Sequence, residues 1–339
     1  MRAAVYHGAG RITMEEIPVP VIGPGELLVR VTACGLCGSD LMRWYQDPRA
    51  PVVLGHEPVG VVAAAGEGAA FAPGDRVFVH HHVPCFDCDL CRRGRHTLCA
   101  TFRSSRIEPG GLSEFIRVPQ ENVLGDVLAL PDGVSDLAGT LIEPVACIVR
   151  GQRQAGVGSG SVVAVVGAGS MGLIQIQVAR ALGAHTVVAV EPDPARRQGA
   201  AAVGALTPEG IDADAVRDAL GGRLADQVFV CTHNHDAIAA ALHMAGPAGV
   251  VQLFAPTRPG EIVPLDLGAI FFREVTIQST YSAGPSDTRD ALELIAAGHV
   301  DVASVVTHVV PLADAAEAYR LADSGEALKV VVQVSEEPL

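Results

Sequence analysis

The chain of 339 residues contains few aromatic side chains, few charged ones and no surplus of basic ones. Aromatic residues make up 4% of it, so a buried core has to rest mainly on Val, Ala, Leu and Ile. Asp and Glu number 38 against 24 Lys and Arg, and the net charge of −14 argues against nucleic acid as a partner because phosphate would be repelled. With a hydrophobic fraction of 49% and a charged fraction of 18%, the composition also excludes a disordered chain.

Long apolar runs are missing as well. The first residues contain no apolar stretch long enough for a signal peptide, and neither end carries a lipidation motif. The longest uncharged stretch, between Arg153 and Arg180, is interrupted by glycines and contains Gln175 and Gln177, which predicts a buried strand and helix rather than a membrane span. We therefore expect a cytoplasmic protein without a membrane partner. In a reducing compartment its eight cysteines indicate metal binding or catalysis more than disulfides.

The pattern of apolar residues changes along the chain. Residues 1 to about 145 have the short strands and turns of a mainly-β region. From Gly160 strands and helices alternate, which predicts parallel strands joined by helical crossovers, and after Pro285 a helix, a strand, a helix and a strand follow. The length itself suggests about two domains.

A glycine-rich turn follows the first strand of the alternating region. The sequence Gly167-Ala-Gly169-Ser-Met-Gly172 fits G-x-G-x-x-G, stands after the apolar run Val162–Val166 and opens a helix at Ser170. Gly167 permits the tight turn, Gly169 lets the backbone approach a pyrophosphate, and Gly172 lets helix and strand pack closely. The motif predicts a dinucleotide site at a helix N-terminus, and the alternative is a glycine-rich turn in an α/β core.

The choice of dinucleotide depends on the end of the next strand. Glu191 stands 24 residues after Gly167, where a carboxylate accepts bonds from ribose hydroxyls and repels a 2′-phosphate, so we expect NAD rather than NADP. Arg196 and Arg197 follow closely and could instead bind a 2′-phosphate, stack on adenine or line a solvated helix face. The other predicted cofactor contacts are Ser170, Met171, Thr232, Ala255 and Tyr281.

Four cysteines are concentrated in one short segment of the mainly-β region. They are Cys85, Cys88, Cys91 and Cys99, and four thiolates form a closed tetrahedral set for a structural zinc. An iron–sulfur cluster is the main alternative, but the fourth cysteine stands at the wrong spacing for the ferredoxin motif. Disulfides would need an oxidising compartment. A lobe of this size is expected to need its metal in order to fold.

A second group of metal-ligating residue types is spread along the chain. Cys37 stands just before Ser39, His56-Glu57 follows, and Glu143 comes much later. One thiolate, one imidazole and one or two carboxylates can hold a zinc that keeps a position open for water or substrate. Their separation along the chain suggests a site in a cleft rather than a folding staple.

Each of these residues also has a simpler interpretation. Cys34 and Cys37 could be a redox pair or small core residues, and His56 could be a core or loop residue. Glu57 could cap a helix or pair with an arginine. The run His80-His81-His82 could bind a metal, but beside a strand end it is expected to straddle both faces of the sheet.

Taken together and in order, these motifs resemble those of the zinc-containing medium-chain alcohol and polyol dehydrogenases. The resemblance runs over nearly the whole chain and implies an α/β protein with a GroES-like mainly-β catalytic domain and a Rossmann doubly wound parallel sheet domain. It implies that residues 1–147 and 282–339 form the catalytic domain, with a structural zinc lobe at 85–99, and that 148–281 form the NAD-binding domain.

The resemblance also implies roles for the second group. Cys37 and His56 match the catalytic zinc ligands, and Glu57 matches the acidic residue that binds zinc directly or through water. Glu143 matches a position that is a cysteine in ethanol-type enzymes and a glutamate in the polyol and threonine branches. Ser39 matches the hydroxyl that relays the substrate proton. We therefore expect two zinc ions per chain, one catalytic and one structural.

Two positions depart from the family pattern. Many members have a histidine at the end of the proton relay, where this chain has Met42, so water or another side chain must serve there. Sorbitol-type enzymes have Arg-Tyr after the strand that here ends at Tyr281, where this chain has Ser282-Ala283. Sorbitol itself is therefore not the expected substrate.

The expected activity is a zinc-dependent hydride transfer between a secondary alcohol and NAD(H). The alcohol would be a polyol, a cyclitol, a sugar alcohol or an amino-alcohol. The alternatives are a threonine- or aldehyde-type zinc dehydrogenase and, more remotely, a non-catalytic scaffold that binds the cofactor. By the same resemblance we expect a homodimer or homotetramer joined by the Rossmann edge strand near Val275–Tyr281.

Overall fold

The computed structural model describes residues 1–335. The N-terminal half is built from short strands and short helices, as its many turns predict. The strands are β1 (Arg2–Tyr6), β2 (Ile12–Glu16), β3 (Leu27–Gly35), β4 (Val52–Val53), β5 (Glu57–Ala65), β6 (Arg76–Val79), β7 (Phe115–Val118) and β8 (Val127–Ala129). The helices are α1 (Arg43–Gln46), α2 (Asp89–Arg92), α3 (Ala100–Ser104), α4 (Gln120–Asp126), α5 (Asp136–Gly139) and α6 (Ile142–Gln154).

The remainder of the chain alternates strands with longer helices. In chain order these are β9 (Val162–Val166), α7 (Ser170–Ala181), β10 (Thr186–Val190), α8 (Pro194–Ala202), α9 (Ala213–Ala219), β11 (Ala225–Val230), α10 (His235–Met244), β12 (Ala245–Leu253), α11 (Leu267–Phe271), β13 (Thr276–Ser279), α12 (Pro285–Ala296), β14 (Val306–Pro311), α13 (Ala315–Ser324) and β15 (Lys329–Gln333). None of the described helices is long and apolar enough to cross a lipid bilayer.

The chain folds into two compact units. Among the described residues the first contains Met1–Ala146, Ala283–Ala297 and 306–335, and the second contains Cys147–Ser282 and Gly298–Val305. Residues 336–339, which fall in the expected C-terminal part of the catalytic domain, lie outside the described residues. A functional division into a catalytic domain of 1–147 and 282–339 and a cofactor domain of 148–281 stays our proposal.

The first unit is mainly β. One sheet has the order β2-β1-β4, and the larger has the order β14-β15-β3-β5-β6-β8, with β7 also paired to β3. The C-terminal strand β15 runs antiparallel to β3, with Val332 opposite Cys34, while β5 runs antiparallel along the other edge of β3. The last strand of the chain is thereby placed two strands away from the segment that begins at Glu57.

The second unit is a parallel sheet with helices. Its strand order is β10-β9-β11-β12-β13, and every neighbouring pair is parallel. Strand β9 is buried along its whole length, and helices α7 and α10 both pack on it, which explains why it is a continuous apolar run. The order reverses direction at β9, where doubly wound sheets bind their ligands. The predicted fold class, a mainly-β region joined to a doubly wound parallel sheet, is confirmed.

Candidate catalytic metal centre and cofactor site

Three groups of potential metal ligands lie in the first unit. In each group of the described residues, one ligand atom per side chain comes within 4.8 Å of all the others. The groups are Cys85, Cys88, Cys91 and Cys99; Cys37, His56 and Glu57; and His80, His81 and Glu143. The structure thus brings together three of the four side chains expected to hold the catalytic zinc, and it groups the fourth, Glu143, with two histidines.

The four thiols converge because short elements present them to one point. The Sγ atoms of Cys85 and Cys99 are 3.5 Å apart, and those of Cys88 and Cys91 are 3.6 Å apart. The backbone N–H of Cys88 points to Cys85 Sγ at 3.4 Å, and that of Cys85 points to Cys99 Sγ at 3.5 Å. Burial opposes ionisation of Cys99, but backbone donors of Cys85 and Phe102, together with the side chains of Cys85 and Cys88, outweigh it and lower its pKa to about 6. Burial and the neighbouring thiols instead raise the pKa of Cys91. Four converging thiols, two of which accept backbone N–H bonds, fit a closed zinc site.

Cys37 and His56 are oriented by one buried carboxylate. Cys37 precedes a 3₁₀ turn, Gly38–Leu41, and its backbone N–H donates to Asp40 Oδ2 at 3.0 Å. The other oxygen, Oδ1, is 3.3 Å from His56 Nδ1, which leaves Nε2 of that ring as the ligand atom. Burial lowers the pKa of His56, but Asp40 and Cys37 outweigh it and raise the pKa well above 6.5. A metal that binds here therefore displaces a proton.

Glu57 has a buried partner from the other end of the chain. Its Oε2 lies 2.5 Å from Nζ of Lys329, and the side chains of Glu57 and Lys329 are 0% and 5% exposed. Burial opposes the charge of Lys329, but Glu57, Cys37 and Glu143 outweigh it and raise the pKa of its ammonium. The pair ties the start of β5 to the start of β15. The sequence analysis did not find Lys329, although a single lysine before a run of three valines in a strand was a signal for it.

Glu143 lies in the first turn of α6 and is 5% exposed. The rings of His56 and His81 are 4.9 Å apart between centroids, so the group that contains Glu143 adjoins the group that contains Cys37. Ser39 is half-buried in the turn after Cys37, and its carbonyl accepts a hydrogen bond from Gln46 Nε2 at 3.0 Å.

The glycine-rich turn of the second unit has the geometry that its sequence predicts. Gly167 has a φ of +95°, and a Cβ on Gly172 would stand 2.0 Å from the carbonyl oxygen of Gly167. Gly169 precedes α7, and a Cβ there would meet no described atom within 4 Å. The backbone at Gly169 is therefore open to a ligand, and the residues fit a dinucleotide whose pyrophosphate lies at the N-terminus of α7.

Glu191 follows β10, and its side chain links the glycine-rich turn to the start of the segment that leads into α8. Its Oε2 accepts from the backbone N–H of Ala168 at 2.7 Å, and Oε1 accepts from that of Asp193 at 3.0 Å. The side chain of Arg197 donates to the carbonyl of Glu191 at 3.0 Å, and Arg196 lies in the first turn of α8. The carboxylate is thus fixed beside the glycine-rich turn.

The other predicted cofactor residues lie at the same edge of the parallel sheet. Ser170 and Met171 begin α7, Thr232 follows β11, Ala255 follows β12, and Tyr281 follows β13. The side chain of Tyr281 is 48% exposed. The carboxyl ends of β9 to β13 therefore carry all the residues that the sequence analysis assigned to the cofactor, as expected for a doubly wound sheet.

Comparisons with known proteins give one consistent result. Residues 23–132 match the model of the alcohol dehydrogenase GroES-like domain, and residues 170–297 match that of the zinc-binding dehydrogenases. The chain is similar to sorbitol dehydrogenase of Bacillus subtilis, with 31% identity over 98% of this chain and 97% of that one.

Solved structures agree with the sequence comparisons. Alcohol dehydrogenase TADH from Thermus sp. ATN1 has 31% identity and a TM-score of 0.86, covering 99% of this chain and 100% of that one. 2R,3R-butanediol dehydrogenase from Bacillus subtilis has 26% identity and a TM-score of 0.86, covering 98% of this chain and 99% of that one. The similarity therefore extends over both units.

Proposed function

This chain belongs to the zinc-containing medium-chain alcohol and polyol dehydrogenases, and from that premise we propose that it oxidises a polyol-type secondary alcohol with NAD at the site around Cys37 and His56. It is a zinc-dependent oxidoreductase that acts on small-molecule alcohols with a nicotinamide cofactor. The proposal adds the residues of the catalytic site, the kind of alcohol, the choice of NAD and the number of zinc ions. Names of relatives favour a polyol or diol, because they include sorbitol and butanediol dehydrogenases.

The observation that carries the proposal is the convergence of Cys37, His56 and Glu57 within 4.8 Å. Thiolate, imidazole and carboxylate are zinc ligands, and Asp40 fixes the imidazole in the orientation that a metal requires. When bound, zinc lowers the pKa of an alcohol oxygen so that its proton leaves near neutral pH. Glu143 completes this set in our proposal, because its buried carboxylate lies in the adjoining group.

The chain's own side chains handle the proton. Ser39 stands two residues after Cys37, and we assign its hydroxyl the role of first acceptor of the substrate proton. Met42, near the end of the same turn, has no group that carries a proton. The next carrier is therefore a water molecule in this proposal.

NAD is the cofactor that we propose, because of Glu191. Its carboxylate is held by two backbone N–H groups beside the glycine-rich turn, which supports the proposal that its negative charge disfavours a 2′-phosphate. Gly167, Gly169 and Gly172 shape the turn for the pyrophosphate. A structural zinc in the four-cysteine lobe brings the proposed total to two zinc ions per chain.

The experiment is a kinetic comparison of NAD with NADP over a panel of polyols, cyclitols, amino-alcohols, threonine and simple secondary alcohols. We expect turnover with NAD on a polyol or diol. In Glu191→Gln the ratio of kcat/KM for NAD over NADP should fall about tenfold or more, which corresponds to ~1.4 kcal/mol. Glu209→Gln, an exposed acid in the same unit, is the control and should keep the ratio. A wild-type preference for NADP would overturn the assignment of Glu191, and turnover of threonine alone would move the enzyme to the amino-alcohol branch.

A second copy of this chain is the partner that we propose. Strand β13 is the edge of the parallel sheet, and Phe271 and Phe272 just before it are 74% and 90% exposed. Pairing of β13 edges in a homodimer or homotetramer would cover these rings. Phe272→Asp should shift the mass in light scattering to a smaller species, whereas Val21→Asp, at a position 88% exposed in the first unit, should not. An unchanged mass in both would contradict this interface.

Since thiolate ligands persist where thiols stay reduced, we also propose the cytoplasm as the location of the protein.

A further inference from the structure

A cluster of buried metal-ligating side chains remains beside the proposed catalytic set. We propose that His80, His81 and Glu143 bind a second divalent cation, with zinc as the favoured ion, next to the metal held by Cys37 and His56. The three side chains each bring one ligand atom to within 4.8 Å of the other two. Two imidazoles and one carboxylate form a set of three protein ligands that zinc sites use, with a further position open to water or substrate.

A buried carboxylate orients the ring of His80, as is common for histidines that bind metals. Its ring is fully buried, and Nδ1 lies 2.7 Å from Asp126 Oδ2. The other oxygen of Asp126 accepts from the hydroxyl of Thr288 at 2.5 Å, and the backbone N–H of His80 donates to the Asp126 carbonyl at 3.1 Å. A carboxylate on one ring nitrogen fixes the ring and leaves the other nitrogen as a strong ligand.

One ring nitrogen of His80 and one of His81 have no hydrogen-bond partner among the described residues. Nε2 of His80 and Nδ1 of His81 are buried and make no hydrogen bond to any residue within 1–335. Buried polar atoms without a partner are rare, and each calls for an explanation such as an ion or a water. A cation bound by these two nitrogens satisfies both at once, and Glu143 from α6 supplies the charge that holds it.

Buried carboxylates adjoin this group. Asp126 contacts His80, Glu143 belongs to the group, and Glu57 interacts electrostatically with Glu143. All three carboxylates are at most 5% exposed. Buried negative charge of this kind favours a bound cation. A carboxylate at the junction, here Glu143, is suited to lie between two such ions.

Metal content of the full-length protein tests the proposal. After equilibration with excess zinc and gel filtration, we expect three zinc ions per chain: the catalytic and lobe ions of the proposed function, and one more at His80, His81 and Glu143. His81→Gln should lower the count by one. His82→Gln is the matched control, because its ring bonds the Ser105 carbonyl and lies outside the group, so it should keep three. Two ions in the wild type and two in His81→Gln would overturn the proposal, and would mean that water or a proton satisfies the histidines.

A cobalt-binding experiment distinguishes this site from the proposed catalytic site, and it does not require an activity measurement. In Cys37→Ser with zinc kept in the cysteine lobe, the site of His80, His81 and Glu143 has no thiolate ligand. Cobalt bound there should therefore give visible bands without a thiolate charge-transfer band. We expect Cys37→Ser to take up one equivalent of cobalt that the double variant with His81→Gln does not. Equal uptake by the single and double variants would exclude the second site, whatever the fate of the catalytic proposal.

Discussion

The four-cysteine lobe and the centre around Cys37 both collect metal ligands, but they do so in different ways. The lobe takes its potential ligands from fifteen consecutive positions, and among the described residues its buried apolar cluster consists of Cys91, Cys99 and Phe102, with Cys88 packed against them. The centre draws Cys37, His56 and Glu143 from distant segments and buries charged partners around them. From this difference we propose that a metal bound in the lobe would support the fold, while in the centre the fold would support the metal.

Removing one proposed ligand of the catalytic metal should change the activity most and leave the fold intact. Cys37→Ala or His56→Ala should lower kcat/KM by roughly a thousandfold or more, because the substrate oxygen loses its activating metal. NADH should still bind with unchanged affinity in a fluorescence titration. Retained turnover in either variant would show that this group is not the reaction centre.

The corresponding change in the lobe should act on stability before it acts on chemistry. Cys91→Ser removes one of four thiolates around the proposed structural zinc, so we expect loss of that zinc and a decrease of more than about 4 kcal/mol in the free energy of unfolding. Melting temperature and zinc content measure both. Cys231→Ser, which changes a half-buried thiol outside the metal groups, is the control for the loss of a cysteine. An unchanged zinc content and melting temperature in Cys91→Ser would refute the distinction between lobe and centre.

The buried ion pair tests whether the fold supports the centre. Lys329→Met leaves the carboxylate of Glu57 buried without its cation, which should cost about 3–5 kcal/mol of stability. Adding Glu57→Gln to the same chain should recover a large part of the loss, because the uncompensated charge disappears. Chemical unfolding of the two variants measures this. If Lys329→Met were as stable as the wild type, the pair would have no part in holding β5 and β15 together.

The smallest effect is expected from the residue that orients His56. Asp40→Asn keeps the shape of the side chain but weakens its hold on the imidazole, so zinc affinity at the centre should fall about 10–100-fold. The zinc in the lobe should be unaffected, which competition with a chelator can resolve for the two ions separately. Equal loss from both sites would mean that Asp40 acts on the fold rather than on the ligand.

Much of the second unit could be predicted from local sequence. Strand β9 occupies the residues that its apolar run predicts, and Gly167 and Gly172 adopt the turn that only glycine allows. Helices α9 and α10 are harder to predict, because their alanine-rich stretches lack a clear apolar face until they pack in the fold. Local sequence patterns predict the structure of a segment where that segment is a single apolar strand or a glycine turn.

The candidate centre was predictable only in part. Cys37, His56 and Glu57 were selected for their residue types, and the structure brings them together. The run of three histidines was expected to straddle a sheet, yet His80 lies fully buried against Asp126, and His81 lies near Glu143. Neither neighbour is close to the histidines in sequence, so no spacing rule connects them.

Features that depend on neighbours along the chain can be predicted from sequence: the glycine-rich turn, the four closely spaced thiols and the alternation of strands and helices. Which distant charges meet depends on the folded arrangement of the strands. Lys329 reaches Glu57 across 272 positions only because β15 and β5 flank β3, and their ionic partnership depends on the burial that this sheet creates. Charge pairing in a protein interior depends on position in space and on loss of solvent, and neither is written in local sequence.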